Sequence, residues 1–165
     1  MAICLHIHFR HDFSDWGNHD RCVEFLKAAA ENLRASFGLT QEQMVIRSYS
    51  DEEIEEFIKD MSSESEADER AWLGSIRYWI SIDDPLWIDC HLENGFWAIT
   101  TCEAYSWLFD NDSKTLEFVK QIVRALGGHS AYVTEELCGW FDYGDGELSF
   151  DDWLKTMQNP FVIEV

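Results

Sequence analysis

No run of apolar residues in this chain approaches the ~20 needed to cross a bilayer. The short apolar start, Met1 to Phe9, carries His6 and His8, lacks a basic flank and has no small-residue cleavage site, which argues against a signal peptide. Paired cysteines are missing too. The five cysteines, Cys4, Cys22, Cys90, Cys102 and Cys138, are odd in number and widely spaced, with no CxxC. That argues against a disulfide framework and points to reduced, buried thiols in a cytoplasmic protein. No GxGxxG, Walker A, GxSxG or HExxH occurs, so the common nucleotide-binding, hydrolase and metalloprotease signatures are absent. Basic residues are few: twelve Lys and Arg stand against thirty-two Asp and Glu, a formal net charge of −20. Nucleic acid and anionic lipid repel such a surface, so no direct nucleic-acid or membrane partner is expected.

What is present is material for a core. The chain is 46% hydrophobic and 15% aromatic, with eight Trp and eleven Phe. Disordered chains of high charge lack this apolar content. The 165 residues therefore fit one folded domain, 1–165, that displays its acid on a solid body. Self-repulsion among like charges opposes compaction while steering a basic partner onto the surface.

Periodicity gives the organisation. Ile3, Leu5, Ile7 and Phe9 alternate with Cys4, His6, His8 and Arg10, a strand with one buried face and one polar face. Val23, Leu26, Ala30, Leu33 and Phe37 recur at helical spacing, and Gly38 stands where that helix stops. Met44 to Tyr49 reads as a strand. Ser50 and Glu53 form a capping box ahead of a helix over 51–61 that buries Ile54, Phe57, Ile58 and Met61. Ser62 to Glu69 reads as a loop. Trp72, Ile76, Trp79 and Ile80 suggest a helix around 71–80. Leu86–Leu92 and Phe96–Cys102 read as strands joined by Asn94-Gly95, placing Leu92 opposite Trp97, Cys90 opposite Ile99 and Ile88 opposite Thr101. Ser113 opens a helix closed by Gly127-Gly128, a strand follows at 131–134, and a last helix is expected near Phe150–Met157. The fold class is α+β, a mainly antiparallel sheet packed against helices. One arrangement of these elements is a ferredoxin-like core with an insertion at 43–80.

Candidate chemistry is sparse. His6 and His8 share a strand face, and His11 and Asp12 follow; imidazoles two apart on a strand can chelate zinc, which would make a small metal-dependent hydrolase. Against this, Arg10 occupies the Asp position of the HxHxDH pattern and no further ligand can be named, so a polar strand face is the plainer reading and no metal or other cofactor is expected. Cys90 and His91 are neighbours on a strand and point to opposite faces, so they form no dyad. Asp142, Asp145, Glu147, Asp151 and Asp152 fail the EF-hand spacing, with Gly144 and Gly146 where ligands should stand. No catalytic residue is assigned, and the protein is not expected to be an enzyme.

The acids fall in three groups. Glu52, Glu53, Glu55 and Glu56 lie on one helix; Glu64, Glu66, Asp68 and Glu69 follow in the loop; 142–152 adds a third. A single run of this kind is ordinarily a solvated face, but three exceed what solubility requires. Trp140, Phe141 and Tyr143 precede the third group, and aromatic anchors within a charged surround have the composition of a binding hot spot. The expected partner-binding residues are Trp140, Asp142, Tyr143, Asp145, Glu147, Asp151, Asp152, Glu52, Glu53, Glu55 and Glu56.

In the second half, a Trp-rich hairpin (Leu86–Cys102) leads to an amphipathic helix ending in Leu126-Gly127-Gly128. The strand Ala131-Tyr132-Val133 follows, then Glu135-Glu136 and Ser149-Phe150-Asp151-Asp152-Trp153-Leu154. This half resembles the small acidic immunity proteins of bacterial polymorphic-toxin and contact-dependent inhibition systems. The resemblance implies a cytoplasmic protein that binds a toxin's C-terminal domain, often over a nuclease active site, and carries no catalytic residues of its own. Two other readings stay open: an acidic nucleic-acid mimic that inhibits another basic protein, and the hydrolase built on His6, His8 and His11.

Overall fold

The period-two start forms an interior strand of the sheet. A computed structural model describes residues 5–60, 77–83, 86–101, 113–135, 150–155 and 161–165. In it β1 (Leu5–Arg10) lies between β5 (Phe96–Thr101) and β6 (Ser130–Glu135), antiparallel to both. The other elements are α1 (His19–Phe37), a 3₁₀ turn (Gln41–Gln43), β2 (Met44–Ser48), α2 (Asp51–Asp60), β3 (Tyr78–Ile82), β4 (Ile88–Leu92), α3 (Ser113–Ala125), α4 (Phe150–Leu154) and β7 (Phe161–Glu164). The strands form one seven-stranded sheet in the order β2-β3-β4-β5-β1-β6-β7, every neighbour antiparallel.

The middle of this order, β6-β1-β5-β4, with α1 after β1 and α3 between β5 and β6, is the ferredoxin-like arrangement. The insertion supplies β2, α2 and most of β3, extending the sheet past β4. One sheet face carries Leu5, Ile7, Phe9, Ile80, Ile82, Ile88, Cys90, Leu92, Trp97, Ile99 and Val133, all at most 1% exposed. Against it pack Leu26 and Leu33 of α1 and Val119, Ile122 and Val123 of α3. The two helices also meet each other: Phe37 stands edge-on to Phe118 at 5.6 Å, and Gln121 Nε2 donates to the Ser36 carbonyl at 2.8 Å.

Local chemistry explains the boundaries. Asn18 caps α1 by accepting from Arg21 N–H at 3.3 Å. The capping box of α2 is present: Ser50 N–H donates to Glu53 Oε2 at 2.9 Å, and Glu53 N–H donates to Ser50 Oγ at 3.2 Å. The hairpin register is the expected one, Leu92 opposite Trp97, Cys90 opposite Ile99 and Ile88 opposite Thr101.

Three expectations need correction. Residues 78–80 are strand, not helix: Tyr78, Ile80 and Ile82 are buried in alternation, and β3 pairs with both β2 and β4. Phe57 is 42% exposed rather than buried, because α2 packs Ile54 and Ile58 against a small satellite cluster around Tyr49. The face of β1 bearing His6 and His8 is buried, at 3% and 0% exposure, so the sheet is covered on both sides. The loop at 62–69 and the remainder of the expected helix at 71–76 lie outside the described residues.

Candidate functional site

The second sheet face holds the chemistry that the sequence singled out, and it does not converge on a metal centre. His8 sits beside Ala98 of β5, which sits beside His91 of β4. The two imidazoles are two strand spacings apart, roughly 10 Å, too far to share one ion. Trp79 stacks on His91 at 5.7 Å with the rings 8° from parallel, and Arg47 lies over Trp79 at 5.3 Å. In the next row, His6 Nδ1 is 3.2 Å from Thr100 Oγ1. His11 projects to the opposite face, among Phe13, Phe25 and Trp97, with Nε2 2.7 Å from the Glu93 carbonyl. His6, His8 and His11 therefore do not meet. Among the described residues, no group of three or more His, Cys, Asp or Glu is placed to hold a metal ion. Cys22 and Cys90 are free and buried, and burial raises both thiols.

Burial sets the protonation of this layer. It lowers His8 well below the ordinary imidazole value, with His6 adding a like-charge contribution. Burial raises Glu93 well above the ordinary carboxyl value, and its Oε1 makes no hydrogen bond among the described residues. The two groups tilt stability in opposite directions. For His8, stability is present above the unfolded pKa and is lost as pH falls through ~6.5. For Glu93, stability is fully present below ~4.3 and declines as pH rises toward the folded value, because the unfolded carboxyl ionises first. Glu93→Gln is accordingly expected to stabilise the fold by about 1–3 kcal/mol at pH 8, with the gain vanishing near pH 4. Denaturant melts of both proteins across that range check it; a gain that does not grow with pH would contradict the burial account.

The acidic residues divide by location. Glu52, Glu53, Glu55 and Glu56 are exposed on α2, with Asp51 and Asp60 at its ends. Glu52 and Glu56 have no ion pair among the described residues, whereas Asp51 pairs with Arg77 at 2.7 Å. Asp151 and Asp152 are exposed on α4, but each meets an in-chain cation: Asp151 pairs with Arg10, and Asp152 with Lys155 at 3.2 Å. The α4 segment is held by Phe150, whose ring lies 5.0 Å from Phe96 and beneath the Arg10 guanidinium at 4.7 Å. α2 follows β2 directly, while Phe150 rests on β5 and β6. The two groups are thus separated by three strand spacings or more, on the order of 15 Å, and do not form one array. Trp140, Asp142, Tyr143, Asp145 and Glu147 lie outside the described residues.

A cleft of about 520 Å³ opens between the β1–α1 loop and α1, walled by the stacked rings of Phe13 and Phe25 and by Asp12, Asp15, Arg21 and Glu24. Arg21 lies 3.5 Å from Asp15 and 3.4 Å from Glu24, so much of its charge is balanced internally.

Comparison with known proteins gives no identity. No family model, no curated protein and no solved structure matches the chain. Function must therefore be argued from the surface, where four exposed features were not read from the sequence. These are Phe57 at 42%, Val45 and Ile46 of the edge strand β2 at 39% and 41%, Trp87 at 54%, and Phe161 and Val162 of β7, at the other end of the sheet, at 51% and 48%. Strand alternation gives no sign of which strand ends the sheet. Nothing in the residues around Trp87 marks its exposure.

Proposed function

We propose that this protein is a binding protein of the immunity type, which neutralises a basic, nuclease-like toxin domain in the bacterial cytosol. The single observation that supports the reading is α2, a capped helix with four exposed glutamates and an exposed Phe57 beside them. The formal charge of −20 extends the same sign over the whole body. A nuclease must display Lys and Arg to hold phosphate, and a carboxylate array opposed to them would occupy that site and accelerate encounter. The alternative hydrolase lacks comparable support, because His11 faces away from His6 and His8.

Affinity capture from the native host, with wild-type protein and with the variant carrying Gln at positions 52, 53, 55 and 56, tests this reading. The wild type is expected to retain a protein of strongly positive charge, released by salt, and the variant to retain much less. A retained partner that is neutral or acidic, or that both proteins hold equally, would refute it.

A further inference from the structure

We propose that the open edge of β2 is a docking strand for an extended basic segment of the partner, with Phe57 and the acidic face of α2 at one end. The proposal rests on the basic-partner reading above and adds where and how that partner binds.

Among the described residues β2 ends the sheet, with β3 as its neighbour. Asp83 N–H donates to the Gln43 carbonyl at 3.1 Å, and Tyr49 N–H donates to the Arg77 carbonyl at 3.0 Å, just beyond the two ends of the β2–β3 ladder. Antiparallel pairing alternates, so Val45 and Arg47 also turn their main-chain groups toward β3. Ile46 and Ser48 turn theirs outward, whereas the Met44 N–H already donates to the Gln41 carbonyl. That leaves N–H and C=O groups on an edge that no described strand covers. Proteins ordinarily blunt such edges with proline, lysine or a bulge. Here the register is unbroken, the one charged side chain, Arg47, lies over the Trp79 ring of the neighbouring strand, and Val45 and Ile46 are exposed.

One end of the edge is marked as well, where Tyr49 stands edge-on to Phe57 at 5.4 Å, beside the acidic helix α2. A second copy of this chain is a poor occupant, because each copy carries −20. Charge complementarity favours a strand with Lys or Arg among its outward residues, adding to the sheet through main-chain hydrogen bonds.

Amide exchange read by NMR, on the intact protein with short capped peptides as probes, tests the inference. A peptide alternating Lys and Val is expected to slow exchange at Ile46 and Ser48 by at least ~10-fold, leaving Met44, Val45 and Arg47 nearly unchanged because they are already bonded. The same peptide N-methylated along one edge should protect none of them. Ser48→Pro removes an outward donor without touching the β3 ladder and should weaken binding. Protection of the β7 amides instead, protection by the N-methylated peptide, or no protection at millimolar peptide would each overturn edge docking. Lys/Val binding that perturbs only α2 would overturn the edge and leave the basic-partner reading standing. Equal protection by a peptide alternating Glu and Val would overturn both.

Discussion

Replacing Gly128 with Ala is expected to cost about 3 kcal/mol, the upper end of the range for overpacking a core. For a domain of this size that is roughly 6–12 °C in melting temperature. A Cβ at position 128 would stand 2.5 Å from Phe9 Cδ2 and 2.7 Å from Val123 Cγ1. Phe9 and Val123 are both 0% exposed, so neither side chain has space to retreat. The neighbouring glycine serves a different purpose. Gly127 has φ 77°, Gly127 N–H donates to the Arg124 carbonyl at 3.0 Å, and Gly128 N–H donates to the Val123 carbonyl at 2.8 Å. This is the paired hydrogen bonding of a Schellman termination, which requires a left-handed residue at the first position and places no demand on the second. Gly127→Ala should therefore cost less, about 1 kcal/mol, as backbone strain alone. Thermal melts of the two variants separate the effects; equal losses would mean that Gly128 is not held by contact with Phe9.

The second large effect is kinetic. Changing Glu52, Glu53, Glu55 and Glu56 together to Gln should lower the association rate with a basic partner by about ten-fold at low salt. The difference should shrink once screening shortens the reach of charge to ~8 Å near physiological ionic strength. The fold should survive, because Gln at position 53 can still close the capping box with Ser50. Asp151→Asn with Asp152→Asn should change the rate far less, since these carboxylates already face Arg10 and Lys155. Stopped-flow measurements over a range of salt distinguish the two variants. A larger loss from the α4 pair would move the contact surface away from α2.

Much of the fold was legible because its signals are local. Asn94-Gly95 fixed the hairpin and with it the pairing of Leu92 with Trp97. Ser50 and Glu53 marked the start of α2, and Gly127-Gly128 the end of α3. The β3 strand was not legible, because Trp72, Ile76, Trp79 and Ile80 satisfy helical spacing, while its own alternation spans just Tyr78, Ile80 and Ile82. The four residues of β7 were too few to show a period. The burial of His6 and His8 could not be read either. Alternation reports that a strand has two faces, and whether the second is covered depends on elements far along the chain, such as Phe150 against Phe96. The acids of α2 were placed correctly in solvent by the helical period. The exposure of Phe57 was missed because that period groups it with Ile54 and Ile58, while the surface α2 packs against is small. Edge position is a property of the whole sheet, so the open side of β2 had no local signature at all.

The proposed neutralisation of a basic, nucleic-acid-cleaving partner is tested most directly by an inhibition titration. Cleavage of nucleic acid by the captured partner would be followed as this protein is added, at low and high salt. The account predicts complete inhibition at equimolar protein in low salt, and a rightward shift of the curve for the four-Gln α2 variant. A partner that cleaves undiminished with the protein in excess, or inhibition that neither salt nor the loss of those four charges weakens, would contradict it.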